Sequence, residues 1–447
     1  MHYGFHGGIH PSVHKTLASD RPAKKALIPK KVIIPVLQHT GSPAEPVVAP
    51  GTIVRVGDVI ARPTGYVSAS IHASISGKVM RTIHSPTRIQ PRALSIVIER
   101  EEGLNQEWES RPPRDVNAMS PEELVAVIKE AGIVGMGGAV FPTHVKLSPP
   151  KNKPIDAVIL NGVECEPYLA CDARLMIEKT NQILKGLDII LKIVGAKEGY
   201  IAIEDNKQPA IYVMEKALRA RAERTPPKIA KLQPKIKVVA LRTKYPQGAE
   251  KQVIKAILNR EVPSGGLPMD VGCIVQNVAT AFAIYEAVNF SKPLIERIVT
   301  LTGECMREPI NVWVRIGTML PDLIEYVGGF IKEPAKVVVG GPMMGVAQYT
   351  MNIPVTKGFS GALFMPKESV NIEQESVCIR CGRCVEACPM RLVPTVLMYR
   401  VKKDNFAEAK ELGITNCYEC GACAYACPAK IPLLDYMKYG KSKVISF

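Results

Sequence analysis

Eight of the twelve cysteines in this 447-residue chain stand in two short runs. The first reads Cys378-Ile-Arg-Cys381-Gly-Arg-Cys384-Val-Glu-Ala-Cys388-Pro389. The second reads Cys417-Tyr-Glu-Cys420-Gly-Ala-Cys423-Ala-Tyr-Ala-Cys427-Pro428. Three thiolates at this spacing wrap one iron–sulfur cube, and the fourth, before the proline, points away to ligate the other cube. One [4Fe–4S] cluster is therefore assigned to Cys378, Cys381, Cys384 and Cys427, and the second to Cys417, Cys420, Cys423 and Cys388. Gly382 and Gly421 give the loops room to curl, and Pro389 and Pro428 stop the turn. Zinc favours two separated ligand pairs over such a run. The rest of the chain is then read for what feeds these clusters or draws from them.

At 447 residues, roughly two to four domains are expected. The hydrophobic content of 47% suits buried cores. The longest apolar runs, such as 188–194, fall far short of a membrane span, and the opening residues lack a signal-peptide pattern. Cluster thiolates and scattered cysteines (Cys165, Cys171, Cys273, Cys305) suit a reducing cytoplasm. The net charge is +15, with basic residues dense in 21–31, 219–237 and 438–443. Aromatics are only 6% and no nucleic-acid motif is present, so the charge points to a membrane-adjacent or ferredoxin-like partner, or to a plain solvated surface.

Residues 1–30 read as irregular: His2, His6, His10 and His14 have helical spacing, but Gly7, Gly8 and Pro11 break a helix. Residues 31–104 hold short β runs that resemble a biotinyl/lipoyl barrel-sandwich domain. The comparable hairpin tip, 70–74, has no lysine to carry a cofactor, so the module reads as structural. A linker follows, then a helix opened by Ser120-Pro121-Glu122-Glu123 as a capping box and closed by Gly132. A Gly-rich loop, Gly135-Met-Gly137-Gly138-Ala-Val140-Phe141-Pro-Thr-His-Val-Lys146, comes next and admits a phosphate or flat ring close to the backbone.

From Asp156 strands and helices alternate, which predicts a mainly parallel α/β sheet over 119–292. Helices are expected over 173–194, 209–221, 250–259 and 279–288. In such sheets ligands lie beyond the carboxyl ends of the strands. There stand 161–167 (Asn-Gly-Val-Glu-Cys-Glu-Pro), Glu204-Asp205, 245–250 (Tyr-Pro-Gln-Gly-Ala-Glu) and 276–280 (Gln-Asn-Val-Ala-Thr), all converging on one crevice. A small α+β module spans 293–355, with a tight Gly340–Gly345 loop. Residues 365–447 form the cluster domain, and 394–412 reads as helical.

Gly135–Lys146, Asn161–Pro167, Tyr245-x-x-Gly248-x-Glu250 and Asn277–Thr280 resemble the flavin-binding segments of the NADH-binding flavoprotein subunit of respiratory complex I. The order of Phe5–Pro11, barrel-sandwich, flavin domain, β-grasp SLBB module and paired cluster motifs resembles the RnfC family over essentially the whole chain. RnfC is the NADH-facing subunit of the Rnf ion-pumping complex. The resemblance implies a multidomain α/β protein: barrel-sandwich hybrid, Rossmann-like flavin domain, SLBB module and an α-helical two-[4Fe–4S] ferredoxin-like domain. It implies FMN and NAD(H) besides the clusters. Gly135, Gly137 and Gly138 would pass close to the FMN, and Lys146 and Asn161 would hold its phosphate or ring edge. Glu164 and Glu166 would line the flavin–nicotinamide side, and Phe141 would stack on nicotinamide or adenine. Gly248, Glu250, Asn277 and Thr280 would complete the pocket. Val140 departs from a Gly, and Lys251 from a frequent second Glu.

The implied activity is ion-translocating NADH:ferredoxin oxidoreduction, with hydride passing to FMN and no side-chain acid or base required. The implied partners are membrane and ferredoxin-like Rnf subunits, which would hold the chain peripherally on the cytoplasmic face of the bacterial inner membrane. Two alternatives stand: a PduS-type cobalamin reductase, against which the Gly-Gly-Ile-His-Pro opening argues, and a non-catalytic wiring subunit, supported by Lys251 and Val140.

Overall fold

The computed structural model describes residues 4–445 apart from 89, 225, 227, 229, 230, 232 and 371–373. His2 and part of the segment leading into the cluster domain therefore lie outside the described residues. No helix forms over 4–14; His14 instead stacks on Tyr168 with ring centroids 4.7 Å apart.

Alternation builds the first module. Val32, Ile34, Ile96 and Ile98 point inward from the antiparallel strands Lys31–Pro35 and Ala93–Arg100 and are fully buried. Gly77–Ser85 and Ile53–Val54 complete that sheet, and Ala44–Pro46, Val59–Pro63 and Ile71–His72 form the facing one. The 70–74 segment, expected as a hairpin tip, is buried. Ser74 donates to the Ile316 carbonyl, and the Ser70 carbonyl accepts from the buried Lys357 amine at 2.7 Å. The reason is packing: this edge is the seam against the two following modules.

Helix Pro121–Glu130 carries the expected capping box on Ser120 and Glu123. Behind it stands a four-stranded parallel sheet in the order Lys235–Leu241, Glu198–Glu204, Ala157–Asn161, Cys273–Asn277. The centres of its inner strands, Ala157–Leu160 and Ile201–Ile203, are apolar and buried because helices cover both faces. Helices Gln208–Arg224, Glu250–Leu258 and Val278–Phe290 occupy the expected places. The helix expected over 173–194 is two, Cys171–Glu178 and Thr180–Val194. At the break the Thr180 hydroxyl takes the Met176 carbonyl, the acceptor that residue 180's own amide would use in a continuous helix.

The SLBB-like module is a six-stranded mixed sheet. Gly361–Met365 lies between Glu296–Thr302 and Lys336–Val339, and Lys24–Lys25 pairs with Ile310–Arg315 at one edge. The module thus draws strands from both sides of the 293–355 span. In the cluster domain the 394–412 segment divides into helices Pro394–Lys402 and Phe406–Glu411, separated by Asp404 at φ +51°. Among the described residues no helix is long and apolar enough to cross a membrane.

Candidate functional site

The Gly-rich loop leaves its helix through Gly132 and is pinned at both ends. Gly135 N–H donates to the Phe141 carbonyl at 2.9 Å, and Met136 N–H donates to the buried Thr280 hydroxyl at 2.9 Å. Gly137 runs so close to Asn277 that an added Cβ would meet that side chain at 3.2 Å. Gly138 sits at φ +111° with open space around it. Asn277 caps helix Val278–Phe290 by accepting from Ala279 N–H at 2.8 Å, and it donates to the Asp172 carboxylate at 2.6 Å. A left-handed glycine over open space, beside the N-terminus of a long helix, fits a flavin mononucleotide phosphate and ring.

The other predicted residues frame this opening. Asn161 donates to the Gly248 carbonyl at 2.8 Å, joining the end of strand Ala157–Asn161 to the turn before helix Glu250–Leu258. Glu164, at φ +46°, accepts from Asp172 N–H at 2.8 Å and so caps helix Cys171–Glu178. Burial first, and then the Glu164 charge, push Asp172 up to about 7 against the opposing Asn277 hydrogen bond. Lys146 pairs with Glu250 at the head of helix Glu250–Leu258. Phe141 is half-buried beside the loop. Glu166 is turned elsewhere: its carboxylate accepts from Met343 N–H at 3.1 Å and Met344 N–H at 2.7 Å, in the Gly340–Gly345 loop.

Two residues outside the sequence motifs, Lys15 and Asp172, and one inside the Gly340–Gly345 loop, Gly341, organise the site. The buried Lys15 amine donates to the carbonyls of Glu164, Glu166 and Leu169, at 2.8, 2.8 and 2.5 Å, and so fixes the curve of that loop. Asp172 anchors Asn277, and Gly341 admits the Glu166 carboxylate. The tight 340–345 loop is visible as a Gly cluster, but nothing local announces its distant partner.

The two cysteine runs repeat one backbone. Arg380 and Glu419, Gly382 and Gly421, and Arg391 and Lys430 occupy matching left-handed positions. Among the described residues all twelve cysteines are free thiols. Cys388, Cys417, Cys420 and Cys423 line one cavity whose other walls include Met390, Leu392, Leu434 and Met437. Burial and the neighbouring thiols push Cys420 up to about 11 and Cys423 up to about 12. Four clustered thiols, two buried and two half-buried, with N–H donors from Leu392 and Glu419 on the sulfurs of Cys388 and Cys417, fit the ligand set of a [4Fe–4S] cluster, which would supply the cationic charge that holds them ionised. Cys427 lies instead beside Cys384 of the first run, and burial and that neighbour push Cys384 up. The fourth cysteine of each run thus reaches across to the other.

The two loops differ in surroundings. Residues 374–377 and 379–383 are exposed, with Val377 at 86% and Ile379 at 67% of full accessibility. The second loop packs on the flavin-type domain. Tyr245 hydroxyl donates to the Cys420 carbonyl at 2.8 Å and Lys251 N–H to the Tyr418 hydroxyl at 3.2 Å, while the end of the first run joins in, its Pro389 carbonyl accepting from Gln252 at 3.3 Å. The N-terminal segment seals this joint: Gly8 N–H donates to the Ala387 carbonyl at 2.9 Å, and Ile9 bridges Tyr245.

Four family models match in series: the RnfC barrel sandwich hybrid domain over 3–103, the Nuo51 FMN-binding domain over 128–286, the SLBB domain over 298–347 and the 4Fe-4S dicluster domain over 370–428. The chain is 48% identical to the C subunit of the proton-translocating ferredoxin:NAD(+) oxidoreductase complex of Clostridium ljungdahlii, over 98% of this chain and 93% of that one. It is 42% identical to the Na(+)-translocating counterpart of Acetobacterium woodii, over 100% and 98%. It is 39% identical to the C subunit of the ion-translocating oxidoreductase complex of Rhodobacter capsulatus, over 99% and 83%. In fold it is similar to a chain of an NAD+-reducing [NiFe]-hydrogenase in the H2-reduced state, with a TM-score of 0.51 and 16% identity, covering 75% of this chain and 62% of that one. The chain belongs to the RnfC family, the C subunits of ion-translocating ferredoxin:NAD(+) oxidoreductase complexes.

Proposed function

We propose that this chain exchanges electrons between NAD(H) and two [4Fe–4S] clusters by way of FMN, as the NAD-facing subunit of an Rnf-type complex. The observation that carries the reading is the joint between modules: the loop holding Cys417, Cys420 and Cys423 packs against the 245–252 segment that frames the flavin opening. Bound FMN supplies the conversion between a two-electron hydride and single electrons. The chain's own part is to position. Thr280 and Asn277 hold the Gly135–Gly138 loop open, and Lys15 fixes the Glu164–Leu169 curve. Lys146 and Asn161 stand at the rim for phosphate or ring edge, and Phe141 and Glu164 face the nicotinamide side.

The same asymmetry supports an order. The site of Cys388, Cys417, Cys420 and Cys423 lies next to the flavin domain and is the entry for electrons leaving NADH. The site of Cys378, Cys381, Cys384 and Cys427, with Val377, Ile379 and Cys381 exposed, is the exit toward the next subunit. With no spanning helix among the described residues, ion movement belongs to other subunits, and the chain docks through them on the cytoplasmic face of the membrane. The relatives' names differ in the ion, so no ion is assigned.

The test is anaerobic. The chain is purified, its clusters are rebuilt, FMN is added, and NADH is titrated in under visible and EPR detection. Flavin bleaching followed by reduced-cluster signals is expected. Rebuilt clusters that stay oxidised under NADH would reduce the chain to electron wiring and move the NADH site to another subunit.

A further inference from the structure

Glu166 stands where three modules meet, and the electron path above gives it no task. Its carboxylate is seated on Met343 and Met344 N–H, and a Cβ on Gly341 would come within 2.2 Å of Oε2, so the seat depends on glycine there. On its other side the carboxyl faces the Tyr245 hydroxyl, which donates to the Cys420 carbonyl at 2.8 Å, and Met343, whose N–H holds Glu166, packs on Gly421 of the same loop, where a Cβ would meet its carbonyl at 3.3 Å. Tyr245 is 1% exposed, so one buried phenol links Glu166 to the loop of the entry cluster. That phenol has one proton and two acceptors. With Glu166 ionised, the carboxylate competes with the Cys420 carbonyl for it. With Glu166 protonated, the acid donates to the phenol oxygen, and the phenol proton belongs to the Cys420 carbonyl alone.

We propose that Glu166 is the proton acceptor coupled to reduction of the cluster held by Cys388, Cys417, Cys420 and Cys423. This rests on the reading that these cysteines hold a [4Fe–4S] cluster. The step balances: the cluster gains one electron, originating from NADH, and one proton from solvent forms an O–H bond on Glu166. An added negative charge next to an ionised carboxylate is unfavourable in a low-dielectric joint, and protonation removes that penalty. By reciprocity, reduction of the cluster makes Glu166 hold its proton more tightly, and a protonated Glu166 makes the cluster easier to reduce. Glu166 is partly exposed, which gives solvent protons a route.

The neighbouring ionisable groups point to Glu166 as the one that responds. Burial pushes Glu166 up to about 7, against the two N–H donors and Lys15. Cys165, one residue away, is pushed up to about 12 by burial and stays neutral. Burial raises Tyr245 as well. Lys15 is engaged by three carbonyls, and burial lowers it. Glu204, facing Cys165 and Lys15, is raised by burial but pairs with Lys207 at 2.9 Å. Glu164 spends its oxygens on helix N–H groups.

The experiment is an EPR-monitored redox titration of the full chain with rebuilt clusters, from about pH 6 to about pH 9. The midpoint of the entry cluster is expected to fall across this window by at least 59 mV, the equivalent of tenfold tighter proton binding on reduction. Glu166→Gln is expected to give a flat profile, and Glu166→Asp to restore a slope. An unchanged slope in Glu166→Gln, or a flat wild type, overturns the proposal. The wild-type reduced-minus-oxidised infrared spectrum should gain a protonated carboxyl band. Its absence overturns the proposal even if Glu166→Gln does not fold. A wild-type chain that never shows [4Fe–4S] signals sinks the functional reading too, whereas full signals with a pH-independent midpoint sink this proposal alone.

Discussion

Val140 holds φ +53°, a conformation that β-branched residues avoid. The fold imposes the angle, and buried packing against Gly358 retains the side chain. Asp172 shows the same tension in charge. It is placed to hold Asn277, yet burial lifts it to about 7 from an ordinary 3.8. The folded chain therefore binds this proton more tightly than the unfolded chain does. Stability is fully present below the unfolded value and is lost as pH rises toward the folded one, at about 1.4 kcal/mol per pH unit at most. Wild-type melting temperature should fall between pH 5 and pH 8, and Asp172→Asn should flatten that fall without abolishing it, because Glu166 has the same sign. Thermal melts at the two pH values check this, and an equal fall in both proteins would refute it.

At the scale of elements, most of the architecture is readable because its signals are local. The Ser120 capping box, the alternating sheet and the cysteine spacing all announce themselves within a dozen or so residues. What is not readable is long-range. Lys24–Lys25 has no pattern of its own and becomes a strand only because Ile310–Arg315 offers an edge. Glu166 reads as a flavin-side carboxylate, but its donors lie 177 and 178 residues away. The split at Lys179 is local but equally silent, because it depends on which proton Thr180 gives to Met176. The crossing of the cysteine runs yields a prediction at this scale. Cys388→Ala, though in the first run, should empty the second-run site and spare the first, halving iron content. EPR of the remaining cluster with iron analysis would decide, and loss of the first-run signals instead would mean that the loops do not cross.

Across the whole molecule the N-terminal segment works as a strap. It touches the cluster domain at Ala387, the flavin domain at Tyr245 and Tyr168, and the SLBB-like sheet through Lys24–Lys25. A Cβ on Gly7 would come within 2.7 Å of the Cys388 carbonyl, so the fit over the entry cluster is tight. Deleting residues 5–11 should leave both clusters and the flavin site formed while slowing NADH-driven cluster reduction at least tenfold, as the joint loosens. Stopped-flow absorbance with a loaded-cofactor control would measure it, and an unchanged rate would show that Tyr245 and Gln252 hold the joint alone.

The strap also has a consequence for how the protein is made. It leaves the ribosome before every surface it binds, and Ala387 and Cys388 are synthesised after three whole modules. The joint over the entry cluster cannot close until nearly the full chain is released. Closing the strap is therefore among the last contacts that this fold can make, because it waits for Ala387 and Cys388.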